Sequence, residues 1–184
     1  MMGAAAPAVP GAVMQLGYVV PDLARAARHW ARLGVGPFLV LEHVVLEECH
    51  YRGAPVRFDM SAALAQWGEL QVELIEQHDD IPTVYTEFAG RDAGGLHHLG
   101  VMTDSVAADV ARLAARRIEP VQSGSAANGV RFAYLGTDRM TGAHAGGMIE
   151  LIERCPAIEA LFGRVREAAA GWDGDEVLRP VRGP

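Results

Sequence analysis

Residues 70–77 read LQVELIEQ, and residues 147–154 read GMIELIER. Both contain the string E-L-I-E, at residues 73–76 and again at 150–153. Each is a short alternating run with an acidic residue on an otherwise apolar segment, the pattern of a half-buried strand. A second pair of similar stretches lies upstream of these. Residues 15–17 are Gln-Leu-Gly and lead through YVVPDL into a helical pattern; residues 98–100 are His-Leu-Gly and lead through VMTDSV into another. The chain is one module written twice. Two copies are too few for a solenoid and imply a pseudo-symmetric pair.

Working outward, each copy reads β-α-β-β-β. In the first, residues 13–20 form a strand, Asp22 caps a helix over 23–33, and Leu23, Ala26, Ala27, Trp30 and Leu33 make its packing face. Strands are expected at 38–46, 56–60 and 69–77, with turns at 51–53 and 66–68. In the second, a strand over 96–103 precedes a helix over 106–116. Strands follow at 118–122, 130–136 and 148–154, and 137–147 reads as an exposed loop. A short helix is expected within 81–89 and another helix over 157–170. The domain plan is a tail over 1–13, a first module over 14–77, a linker over 78–95, a second module over 96–154, and a C-terminal helix and frayed tail over 155–184. The fold class is α+β, with helices outside a cupped sheet.

The chain has 184 residues, half of them hydrophobic, enough for one sizeable core. A net charge of −7 without a basic stripe excludes nucleic acid as the main partner. Two cysteines, Cys49 and Cys155, define no disulfide framework and read as free thiols. No stretch is long and apolar enough to span a membrane. The N-terminal residues lack the basic start of a secretory signal, so a cytoplasmic protein is expected.

Strand alternation assigns the faces. Glu73 and Ile75 oppose Val72, Leu74 and Glu76. Glu150 and Ile152 oppose Ile149 and Leu151. Gln15, Gly17 and Val19 oppose Leu16, Tyr18 and Val20, and His98, Gly100 and Met102 oppose His97, Leu99 and Val101. The aliphatic faces should meet the helices, which leaves Gln15, Glu73, His98 and Glu150 converging on the concave face. An amide, an imidazole and two carboxylates suit one divalent ion, Zn, Ni, Co, Mn or Mg, with open positions for water or substrate oxygens. Alone, each of these residues would be an ordinary strand residue; the repeat is what raises them.

The strings QLGYVVPDL, LQVELIEQ, GGLHHLGV and GMIELIER resemble the vicinal oxygen chelate superfamily. That superfamily includes glyoxalase I, methylmalonyl-CoA epimerase, extradiol dioxygenases and bleomycin-resistance proteins. The resemblance covers residues 14–154. It implies metal ligands at Gln15, Glu73, His98 and Glu150, which is the ligand set of eukaryotic-type glyoxalase I. GLHHLG is closer to the epimerases, which usually open with His and carry Gln at the second position. The implied activity is that of a metal-dependent lyase or isomerase, removing a proton beside the carbonyl of a small thioester or hemithioacetal-like substrate. Glu150 is the implied base and Glu73 the second candidate. A non-catalytic small-molecule binding protein is the alternative. An extradiol dioxygenase comes third, because that chemistry wants two histidines and Gln15 stands where the first is expected. A homodimer is implied, with the 157–170 helix at its interface. His97 is expected beside His98 as a supporting residue, and Asp59 lies on a strand whose family counterpart sometimes carries an acid or base. His29, His43, His50, His78 and His144 read as structural or solvated, with His144 able to line the mouth of the site.

Overall fold

Asp22 and Ser105 cap corresponding helices. The Asp22 carboxylate accepts from Arg25 N–H at 2.7 Å and the Ser105 hydroxyl from Ala108 N–H at 3.2 Å. The second glutamate of each ELIE string reaches the same two helix starts. Glu76 accepts from Leu23 N–H at 2.8 Å, and Glu153 from Val106 N–H at 2.9 Å. Each carboxylate sits where the helix dipole favours negative charge. Both glutamates therefore face away from the cup, as alternation predicts.

The computed structural model describes residues 9, 11–89, 94–136 and 147–181. In order the elements are β1 (Val13–Val19), α1 (Leu23–Ala31), β2 (Phe38–Leu41), β3 (Leu46–Tyr51), β4 (Ala54–Pro55), β5 (Met60–Trp67) and β6 (Leu70–Gln77). Then come α2 (Val84–Ala89), β7 (Gly95–Thr103), α3 (Val106–Ala114), β8 (Pro120–Ala126), β9 (Arg131–Gly136), β10 (Met148–Glu153), α4 (Pro156–Ala169) and β11 (Leu178–Pro180). His144 and most of the expected 137–147 loop lie outside the described residues.

One mixed sheet runs in the order β11-β2-β5-β6-β1-β7-β10-β9-β8-β3-β4. The fold is α+β: two βαβββ modules meet edge to edge through antiparallel β1 and β7 and form a cupped sheet. β1 is parallel to β6 on one side, and β7 is parallel to β10 on the other. The helices are few, and α1 and α3, one from each module, lie outside the sheet. On its outer face, Leu23 and Ala27 of α1 pack on Ala63, Ala65, Val72 and Leu74. Val106 and Leu113 of α3 pack on Ala133, Leu135 and Leu151.

Four expectations need correction. The strand expected over 38–46 stops at Leu41, and the one expected over 56–60 begins only at Met60 and runs to Trp67. Between them lies a hairpin, β3 and β4, turned by Arg52 and Gly53, both with positive φ. β3 leaves its own module and pairs with β8 of the other, Cys49 opposite Gly124. The C-terminal segment is no frayed tail, since β11 adds to the edge of β2, Leu178 opposite Phe38. Nor does the apolar side of α4 wait for a partner chain. Its Ile158, Leu161, Phe162 and Val165 are buried against Leu39, Leu64 and Ile152, inside this chain's own cup. Among the described residues no helix is long and apolar enough to cross a membrane, and Cys49 and Cys155 are free thiols.

Candidate metal centre

The register of the four central strands lays out two rows. In one, Glu73 of β6, Gly17 of β1 and His98 of β7 stand side by side. In the other, Gln15 of β1, Gly100 of β7 and Glu150 of β10 do the same. The polar residue of each Gln/His-Leu-Gly string thus faces the glycine of the other. The glycines leave room: a Cβ on Gly17 would stand 1.8 Å from His98 Cε1, and one on Gly100 would stand 2.7 Å from Gln15 Oε1. Both side chains lean over a glycine into the middle of the cup.

There His98 Nε2 lies 3.2 Å from Glu73 Oε2 and 3.2 Å from Glu150 Oε2. One ligand atom from each of these residues falls within 4.8 Å of the others. Glu73, His98 and Glu150 meet here, and Gln15 stands over Gly100 in the row that holds Glu150; Gln15, His98 and Glu150 are buried and Glu73 partly so. His98 Nε2, Glu73 Oε2 and Gln15 Oε1 are buried without a hydrogen-bond partner among the described residues. The atoms are close, yet their angles do not make hydrogen bonds. Donor atoms about 3.0–3.4 Å apart are what bonds of 2.0–2.2 Å to a shared ion require. An imidazole with carboxylate and amide oxygens is a donor set for a divalent ion, so the residues present fit one.

The electrostatics agree. Burial pulls His98 down, but Glu150 and Glu73 outweigh it and hold the imidazole up at about 9. Burial raises the Glu73 carboxyl, and Glu150 adds to the rise while His98 opposes it. Two carboxylates in a dry site need a positive charge, which a proton on His98 or a cation provides.

His97 sets the histidine tautomer. Its Nε2 lies 3.0 Å from the Val84 carbonyl, which can only accept, so Nε2 carries the proton. Burial and the neighbouring His98 lower His97 to about 3, so it is neutral and its Nδ1 is an acceptor. His98 Nδ1, 3.1 Å away, then donates to it, which leaves His98 Nε2 facing the two glutamates, protonated in the metal-free protein and free to give its lone pair to a cation once that proton leaves. Alternation assigns His97 to the outer face, but the ladder slips between Gly17 and Tyr18. His97 is the extra residue of that bulge and turns inward, its ring 5.5 Å from Tyr85 and 5.8 Å from Tyr134. A matching slip falls at Met14, just before Gln15.

Several further residues complete the surroundings and are not apparent from the repeat. Tyr134 stands opposite Glu150 and its hydroxyl meets that of Tyr85 at 3.0 Å. Burial first, then Glu150, raises both phenols well above their ordinary range, so both stay protonated. Gln71 stands beside Gln15 and accepts from its amide at 3.4 Å. Next to this pair a cavity of about 380 Å³ is lined by Met14, Gln66, Gly68, Glu69, Gln71 and Arg166. Asp59 does not join the site; it lies with His43 and His78.

Residues 14–134 match the family model described as Glyoxalase/Bleomycin resistance protein/Dioxygenase superfamily. No curated protein matches the chain in sequence. Methylmalonyl-CoA epimerase from Mycobacterium tuberculosis is similar in structure, with a TM-score of 0.55 at 18% identity, over 86% of this chain and 97% of that one. A Streptomyces coelicolor methylmalonyl-CoA epimerase bound to 2-nitronate-propionyl-CoA gives 0.54 at 14%, over 79% and 96%. A hypothetical protein from Bacillus halodurans gives 0.55 at 16%, over 78% and 94%. At these identities the likeness is one of fold.

Proposed function

Because the chain belongs to the glyoxalase/bleomycin resistance protein/dioxygenase superfamily, we propose that Gln15, Glu73, His98 and Glu150 hold one divalent ion, Zn, Ni, Co, Mn or Mg, and serve a proton transfer beside a carbonyl group. The observation that carries this reading is the placement of His98 Nε2, 3.2 Å from each of two carboxylate oxygens without a hydrogen bond to either. Such an ion supplies Lewis acidity, which makes the hydrogens next to a carbonyl more acidic.

The protein's own groups do the rest. Glu150 takes the proton from the substrate carbon and returns it, and Glu73, its carboxyl raised by burial, is the second candidate. His97 holds the His98 tautomer. One proton of the Tyr85–Tyr134 hydroxyl pair is taken by their mutual bond and the other is free to donate near Glu150, and the apolar residues around them keep water out. The substrate is a small thioester or hemithioacetal-like carbonyl compound, a class favoured by the fold likeness to the epimerases. The cavity beside Gln15 and Gln71 is its approach. If the protein forms a homodimer, the contact uses a surface other than the buried side of α4.

The test begins with metal analysis of protein purified without chelator, beside the Glu73→Ala/Glu150→Ala variant. About one ion lost on substitution is expected at this centre. Thioesters and hemithioacetals are then screened for exchange of the carbon-bound hydrogen with deuterium. Glu150→Gln should slow that exchange about 10²–10⁴-fold. Full turnover by Glu150→Gln on an identified substrate would end its assignment as base. No metal at purification, with none taken up by the four residues on titration, would turn the reading to a non-catalytic binding protein.

A further inference from the structure

Among the described residues, a second cluster of metal-ligand type lies on the opposite face of the sheet. His43 precedes β3, Asp59 precedes β5 and His78 follows β6. One ligand atom from each falls within 4.8 Å of the others. Asp59 and Ser61 share strand parity with Ala63, which packs under α1, and Ser61 stands opposite Glu76, which caps α1. The group therefore sits on the outer face, while Glu73 points into the cup. Five residues of strand separate Glu73 from His78, roughly 16 Å at about 3.3 Å per residue.

The three residues are held in place by hydrogen bonds, and Glu76 Oε1 lies 3.7 Å from His78 Nδ1. The backbone N–H of His43 donates to Ser61 Oγ at 3.1 Å, and the same hydroxyl lies 2.8 Å from His78 Nε2. His78 N–H donates to the Asp59 carbonyl at 2.8 Å, and Asp59 N–H to Asp79 Oδ2 at 2.7 Å. The His43 and His78 rings are 5.1 Å apart between centroids. His43 adopts φ 48°, a left-handed conformation uncommon for a side-chain-bearing residue. The chain thus keeps a strained backbone here, and the result is an imidazole brought against a carboxylate: His43 Nδ1 is 2.7 Å from Asp59 Oδ1. A small outward shift would set these atoms at the spacing of two ligands on one ion. The side chains are partly exposed, His43 most of all, so remaining coordination positions open to water.

We propose that His43, Asp59 and His78 form a second binding site for a divalent transition-metal ion, separate from the centre in the cup. Two imidazoles and one carboxylate favour zinc, nickel, cobalt or copper over magnesium or calcium. The ion would tie the segment that enters the β3–β4 hairpin to the ends of β5 and β6. It would pin the point where the chain leaves its own module for the other.

The test is zinc uptake by full-length protein stripped with chelator, read by equilibrium dialysis with elemental analysis and repeated with cobalt for its visible spectrum. The variants are His43→Asn/His78→Gln, in which asparagine tolerates the left-handed backbone, and His98→Ala. Two equivalents are expected in the parent, one in each variant and none in the combination. The two sites should give different cobalt spectra. Unchanged uptake and spectrum in His43→Asn/His78→Gln would overturn the proposal. His98→Ala reads the outer site alone. If the parent binds a single ion, its loss in His43→Asn/His78→Gln supports this site and counts against the cup. Its loss in His98→Ala alone overturns this site and leaves the cup standing.

Discussion

Gly17 stands directly across the β1–β7 ladder from His98, and the imidazole occupies the space where a side chain at Gly17 would begin, 1.8 Å from Cε1. Ring and backbone are both fixed, so Gly17→Ala forces one to move. We expect a loss of about 1–3 kcal/mol and loss of the ion from the cup. Calorimetric melting and metal analysis check this together. Stability lost with full metal occupancy would show that His98 can rebuild the centre from another position.

His97→Phe removes the acceptor for His98 Nδ1–H and the donor to the Val84 carbonyl. The phenyl ring keeps the planar shape but is larger than the imidazole, so some repacking around this buried position accompanies the change. Affinity for the ion should fall about 10–100-fold, the usual cost of losing a group that orients a ligand histidine. Competition with a coloured chelator measures it. Unaltered affinity would mean that His98 needs no help to present Nε2.

The two histidines give the metal-free protein opposite pH responses. His98 titrates near 9 when folded, against an ordinary 6.5, so its contribution is complete below about 6.5 and disappears as pH rises through 9. His97 titrates near 3 when folded. Between 6.5 and 3 the unfolded chain binds that proton first, so stability falls with pH across this window. Urea midpoints of the chelated protein should decline on both sides of neutrality, and His98→Gln should flatten the alkaline side alone. A midpoint indifferent to alkaline pH in the parent would remove the charged His98 between two carboxylates.

Phe162 of α4 is buried with Leu161 and Val165 against the concave face. Phe162→Ala should cost about 3–5 kcal/mol. For a domain of this size that lowers the melting temperature by roughly 2–4 °C per kcal/mol. A shift under a degree would show that α4 rests on the cup without closing it.

The repeat made the centre readable because alternation is a strict rule within an unbroken strand. Glu73 faces the cup and Glu76 faces α1 for that reason, and Glu150 and Glu153 follow suit. The rule failed at His97, where a bulge adds a residue and reverses the side. Nothing local in GLHHLG marks that slip, which arises from pairing with β1. The β3–β4 hairpin was hidden for a similar reason: its partner strand is β8, far along the chain. Tyr134, Tyr85 and Gln71 have no repeat partner to draw notice. The cluster of His43, Asp59 and His78 joins three segments that only the folded sheet brings together.

The pairing of β11 with β2 also bears on the order of events during synthesis. The edge of β2 stays bare until residues about 140 positions later have been made, and β3 waits for β8 in the same way. Such distant pairings close large loops before they return any stabilisation, which slows folding. During translation the first module is left with open strand edges, the kind of surface that invites wrong partners. The emerging chain is most vulnerable in that interval, and a chaperone would matter most then.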